Sequence, residues 1–224
     1  MPRKPLKYYW NNDELIDLLA RVSFAEGSLL TDMLHLPEHR YNQTRAEVST
    51  KEFAGLDIDK ARRACEYGVV PDNAITTDSL KYWNDGEVKT DKIKQVKELL
   101  DFINDEQVAH PLIRTAVAYV WFLKLQPFAE NNDTTARYLM LAMLAKHEHI
   151  SERFYAISEV FSEDESIYHL MLNNALTGNK NLTKWIKYFL ESMLQAIQKS
   201  LVGYIQESIQ IARKKVHNKA EIEQ

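Results

Sequence analysis

The chain has 224 residues, 45% of them hydrophobic and 27% charged, with a formal net charge of −4. This is the composition of a globular domain with a sizeable core, and it excludes a whole-chain polyanion-binding signature, so nucleic acid is not an expected partner. Cys65 is the only cysteine, which excludes a disulfide framework and a cysteine zinc site, and no apolar run is long enough to span a membrane.

Residues 1–11 read as an extended arm. Its basic start, Arg3, Lys4 and Lys7, is followed by Tyr8, Tyr9 and Trp10, not by the apolar run of a signal peptide, so a cytoplasmic protein is expected. The aromatic trio is expected to pack onto the domain. Asn12 or Asp13 then caps a helix carrying Leu15, Ile16, Leu18, Leu19 and Val22. Glu26-Gly27 suggests that this helix ends there or makes a close backbone contact. Residues 31–58 are polar and mixed, and 59–67 fit a short helix before a turn over Gly68–Ala74. Leu80-Lys81-Tyr82-Trp83, then Asn84-Asp85-Gly86 and Glu87-Val88-Lys89, carry a hairpin signal, so two short strands are expected over 80–89. The alternative is a helical turn capped by Thr77 or Asp78 and followed by a loop. Ile93, Val96, Leu99, Leu100 and Ile103 predict an amphipathic helix.

Two further helices flank a polar turn. Upstream, Ile113, Val117, Val120 and Leu123 follow Pro111, a residue suited to a first turn. Downstream, Ala136, Leu139, Met140, Met143 and Leu144 repeat the pattern. Between them run Gln126, Pro127, Phe128, Ala129, Glu130, Asn131, Asn132 and Asp133. Asn and Asp tolerate left-handed backbone, and a helix N-terminus with unpaired N–H groups can receive an anion. Later helices are predicted around Ile167–Leu176, ending at Gly178, and from Thr183 almost to the C-terminus. The fold class is therefore all-α with at most one small hairpin.

The central stretch resembles the active-site motif of the Fic (Fic/Doc) family, H-P-F-x-[D/E]-G-N-G-R-x-x-R. Pro127, Phe128, Glu130, Asn132 and Arg137 match it. Gln126 stands at the histidine, Asn131 and Asp133 at the two glycines, and Thr134 at the first arginine. His110-Pro111-Leu112-Ile113-Arg114 upstream and Asn181 to Leu190 downstream resemble other family segments. The resemblance covers residues 12–195 and sets domain bounds of 1–11, 12–195 and a helical extension, 196–224.

The resemblance implies a helical fold whose members transfer AMP from ATP to a protein hydroxyl, with the flap hairpin holding the target as an added strand. It implies a base at position 126, Mg²⁺ at Glu130, phosphate contacts at Asn131, Asn132, Asp133 and Arg137, and an inhibitory role for Glu26. Glu26-Gly27 matches the end of the family's inhibitory motif, in which the glutamate pairs with the second arginine, here Arg137. The plainer reading of Glu26 is a surface carboxylate.

The departures remove chemistry. Gln126 cannot accept a proton near neutral pH. Loss of a general base typically lowers a rate by about 10²–10⁴-fold. Asp133 adds a carboxylate beside any triphosphate, and like charges ~4 Å apart cost roughly 4 kcal/mol at an effective dielectric of about 20. The plainer readings make Phe128 a core anchor, Gln126 a hydrogen-bonding turn residue and His110 a helix-start residue. His35, His39, His147 and His149 form no ligand constellation. Three functions follow in order of preference. The first is a Fic-fold protein with weak or no transferase activity that acts by binding or regulation. The second is an active nucleotidyl or phosphate transferase with altered chemistry. The third is a structural helical interaction domain. The target and the oligomeric state stay open.

Overall fold

The computed structural model describes residues 7–33, 55–70, 73–146 and 157–222. Its helices are α1 (Ile16–Met33), α2 (Ile58–Val69), α3 (Thr77–Asn84), α4 (Ile93–Asn104), α5 (Pro111–Leu125), α6 (Asn132–Lys146), α7 (Ile157–Glu163), α8 (Glu165–Thr177) and α9 (Thr183–Ile222), with a 3₁₀ turn at Thr90–Lys92. No strand occurs among the described residues. The one β-type contact is an isolated parallel bridge between Tyr9 and Asn181.

The arm is attached by two of its three rings, Tyr8 and Trp10, and by backbone bonds to the start of α9. Tyr8 is buried and meets Trp121 edge-on at 5.5 Å. Tyr9 points outward, while its N–H donates to Lys180 O and its carbonyl accepts from Leu182 N–H, both at 3.0 Å. The N–H groups of Leu15 and Ile16 both donate to Asn12 O at the entry to α1.

Leu15, Leu18, Val22, Ala25 and Leu29 follow one another at three- and four-residue steps and are all buried. They give α1 an apolar stripe that packs chiefly against α9. This stripe corrects the expected helix end. Glu26 and Gly27 lie within α1, which runs on to Met33. A mid-helix glycine costs only about 1 kcal/mol relative to alanine, and burial of Leu29 beyond it offsets that. Gly27 makes no close contact either, since a Cβ there would meet nothing within 4 Å.

The expected hairpin is also replaced by a helix. Thr76 caps α3: its hydroxyl accepts from Ser79 N–H, and Ser79 Oγ accepts from Thr76 N–H, a reciprocal capping box. Asp85 then adopts a left-handed conformation at φ 63° and donates its N–H to Lys81 O at 2.8 Å. A left-handed Asp before Gly can close a two-residue hairpin or stop a helix, and here the upstream cap decides for the helix. The described residues therefore present no strand edge at 80–89 to which a partner could add. The helical alternative holds, with Thr76 as its cap in place of Thr77 or Asp78.

The centre of the molecule is the pair α5 and α6. Both are apolar on nearly every face, as helices surrounded by others must be. α2 covers α6 most closely, through Ala61, Ala64, Cys65 and Gly68. A side chain at Gly68 would collide with the carbonyl oxygen of Ala142. On the far side, Trp185 of α9 stacks on Tyr119 at 6.0 Å and donates its indole N–H to Ala116 O at 2.8 Å. α9 is 40 residues long. Its first half is buried against α1, α5, α7 and α8, whereas Val202, Ile205 and Ile209 are exposed.

Candidate functional site

The turn between α5 and α6 is built from two left-handed residues with a buried aromatic between them. Gln126 stops α5 at φ 48°, and Asn131 precedes α6 at φ 57°. Neither is glycine, so each carries the modest strain of that conformation. Asp133, the other residue at a family glycine position, lies in the first turn of α6 with no positive φ. Only one of the two substituted glycine positions thus keeps a left-handed backbone.

Asn132 holds the turn closed. Its Oδ1 accepts from Phe128 N–H and its Nδ2 donates to Phe128 O, both at 3.0 Å, and the group is buried. Phe128 has no exposed surface and lies 6.3 Å from Phe122, as a core anchor should. Thr135 Oγ1 donates to Asn131 O at 2.8 Å. Asn84, at the end of α3, donates from Nδ2 to Glu130 O at 2.9 Å and to Thr135 Oγ1 at 2.8 Å. Lys89 donates its backbone N–H to Pro127 O at 2.9 Å and its ammonium to Gln126 O at 3.0 Å. The region expected to form a flap is therefore the buttress of the loop.

Gln126 is exposed, and its side-chain amide turns back to donate to Leu123 O at 2.8 Å. It ties up a carbonyl of its own helix and has no basic nitrogen. Glu130 and Asp133 are exposed, and Arg137 is half-buried. Asp133 and Arg137 lie one turn apart on the same face of α6. Both act on a phenol pair, buried Tyr119 and half-buried Tyr168, whose hydroxyls are 2.9 Å apart. Burial, foremost, drives both phenols above the ordinary tyrosine range, Tyr119 well above it; Asp133 raises each further and Arg137 opposes. Tyr119, Arg137, Phe161, Glu165, Tyr168 and His169 line a cavity of about 190 Å³.

The turn thus brings together Gln126, Glu130, Asn131, Asn132 and Asp133, with Arg137 a turn further on. Glu26 is half-buried on a different element, α1. Among the described residues no three His, Cys, Asp or Glu side chains form a metal-binding group. The residues present fit the two halves of Mg-ATP unequally. Glu130 and Asp133 offer oxygen ligands suited to a hard cation. The same carboxylates oppose a triphosphate, and Asp133 offsets the charge of Arg137, the cation on this stretch of α6. Sequence reading missed Asn84, Lys89 and the Tyr119–Tyr168 pair. These contacts join positions about 40–50 apart, and no local pattern encodes them.

An all-α domain whose central helix pair is joined by a polar, partly left-handed turn at the surface is the architecture defined so far. Residues 72–144, the segment that holds this turn, match the Fic/DOC family model. Among solved structures, the fold is similar to the crystal structure of a Fic family protein from Desulfovibrio desulfuricans G20. The match has a TM-score of 0.66 and 15% sequence identity, covering 89% of this chain and 77% of that one. No curated protein sequence matches the chain. No helix among the described residues is long and apolar enough to cross a membrane.

Proposed function

We propose that this chain is a Fic-fold protein that does not transfer AMP through its 126–137 loop and acts by binding or regulating another protein. The observation that carries the reading is Gln126. It occupies the family's base position, cannot take a proton, and its amide is held by Leu123 O. Asp133 adds a second obstacle, because its carboxylate stands in the first turn of α6, where the resemblance implies phosphate. ATP and Mg²⁺ are then ligands the family suggests but this loop binds weakly. Incubation of the protein with ATP labelled at the α-phosphate, alone and with lysate proteins, tests the reading. No transfer above a heat-inactivated control is expected, and robust labelling would refute it.

One feature favours a second reading, residual phosphate-group chemistry. Asn131 keeps a left-handed conformation, and exposed Glu130 sits beside it, so a cation site and part of an anion cradle survive together. Calorimetric titration with Mg-ATP separates the two. Micromolar affinity supports the second reading, and its absence the first.

A further inference from the structure

The chain is acidic overall, yet a group of lysines gathers beside the loop. Lys124 is exposed in the last turn of α5, two residues before Gln126. Trp121, one turn earlier on the same face, carries the Lys7 ammonium 5.1 Å from its ring centroid, and the Tyr8 ring lies 5.9 Å from the same ammonium. Tyr9, two residues further, is bonded to Lys180 O, which brings exposed Lys180 to the arm. On the other side, Lys89 reaches Gln126 O, and its own carbonyl accepts from Lys92 N–H at 2.8 Å. Five ammonium groups from four separate segments thus surround the C-terminal end of α5. Lys92, Lys124 and Lys180 each act electrostatically on Lys7; burial, more than they do, lowers its pKa, and Glu98 opposes. The carboxylates beside the group are Glu98 and Asp91, the latter 3.9 Å from Lys92, while exposed Glu130 and Asp133 bound it on the α6 side of the turn. Arg3 and Lys4 precede Lys7 in sequence and add to the positive charge of the arm.

We propose that this lysine cluster, Lys7, Lys89, Lys92, Lys124 and Lys180, docks an acidic polypeptide segment of a partner protein beside the Gln126 turn. The inference rests on the reading that the chain acts by protein binding, and it names the chemistry of the partner. Charge complementarity selects the occupant: a local excess of positive charge on a negative protein attracts a short anionic segment and repels little of it. Nucleic acid fits less well. All five cations are lysines, without the planar fork that grips phosphate, and the exposed ring beside them is a single one, Tyr9, not a stacking series. A duplex or long strand would also extend over the acidic remainder of the surface.

Fluorescence anisotropy with a short fluorescein-labelled peptide of alternating Glu and Ser tests the proposal. The parallel probes are the Gln–Ser peptide and a single-stranded oligonucleotide of equal length. The Glu–Ser peptide should bind, bind more weakly as salt rises, and lose about tenfold or more in affinity with the double substitution Lys124→Glu and Lys180→Glu, a loss of the size a few screened charge pairs produce. Both positions are exposed, and an unchanged far-UV circular dichroism spectrum keeps the comparison sound. The milder pair Lys124→Gln and Lys180→Gln should give a smaller loss in the same direction. Equal binding of the neutral peptide, or no effect of the substitutions, would overturn the proposal. Tighter binding of the oligonucleotide, or self-association that the peptide does not displace, would overturn it in favour of nucleic acid or a second copy. AMP transfer is read by a separate assay, so failure here leaves the reading of the loop standing.

Discussion

Asn132→Ala is the sharpest test of how the turn is held. The wild-type side chain satisfies both backbone groups of Phe128, each bond 3.0 Å long, in a buried position. Alanine removes both partners and supplies none, and water has little access to replace them. Each buried backbone group left unpaired costs about 1–3 kcal/mol. Allowing for some relaxation, we expect a loss of roughly 3 kcal/mol in all. For a chain of this size, 1 kcal/mol corresponds to about 2–4 °C in Tm, so melting should fall by roughly 6–12 °C. Asn132→Asp keeps the acceptor for Phe128 N–H but sets a carboxylate oxygen against Phe128 O in a buried place, a repulsion that the helix dipole only partly offsets. It should therefore lose at least as much. Urea denaturation followed by circular dichroism, with thermal melting in parallel, gives both numbers. A Tm for Asn132→Ala within a degree or two of wild type would refute the reasoning, because the paired bonds would then carry no net stability.

Three other outcomes are expected. Gly68→Ala should destabilise by about 3 kcal/mol or more, at or beyond the usual overpacking range, because the added methyl meets the Ala142 carbonyl, which cannot swing aside; calorimetric melting checks this. The raised phenol pKa values of Tyr119 and Tyr168 mean that the fold favours their protonated forms. Their contribution is fully present below the ordinary tyrosine pKa of about 10 and is lost as pH rises through and beyond it, so the double variant Tyr119→Phe and Tyr168→Phe should flatten the alkaline limb of stability against pH. Glu26→Gln should leave Mg-ATP affinity unchanged in a calorimetric titration, because the loop itself limits binding. It is a cleaner change than Glu26→Gly, since a glycine within α1 costs about 1 kcal/mol whatever the carboxylate does. A tenfold gain in affinity would instead show that the carboxylate obstructs the nucleotide.

Much of the helical frame was legible in the residues. Pro111 with Ile113, Val117, Val120 and Leu123 marks a central helix, and Gly178 stands where a helix ends, whereas the Asp57 and Asp164 caps emerge only in the structure. The motif turn was legible as well, because Asn131 tolerates left-handed backbone and the plainer reading of Phe128, a core anchor, is the one its burial bears out. Of the aromatic trio only Tyr9 faces outward, against expectation, and the two misread helix boundaries share one cause. Gly27 and Asp85-Gly86 are local signals with more than one solution, and contacts distant in sequence choose between them. Leu29 against α9 carries α1 past the glycine, and the Thr76 cap makes 77–84 a helix. The supports of the site were not legible for the same reason. Asn84 finds Glu130 O only after α3 has packed on α6. The amide of Gln126 was identifiable as a hydrogen-bonding group of the turn, but its bond to Leu123 O needed coordinates.

The central claim is that the departures in the 126–137 loop, and not the fold, silence AMP transfer. Its most direct test is a side-by-side assay with α-phosphate-labelled ATP on three proteins. These are the wild type, Gln126→His, and the combined variant Gln126→His, Asn131→Gly, Asp133→Gly and Thr134→Arg. The account predicts no labelling by wild type, none by the single variant, in which Asp133 still opposes the triphosphate, and measurable labelling by the combined variant. Robust labelling by the wild type would contradict it.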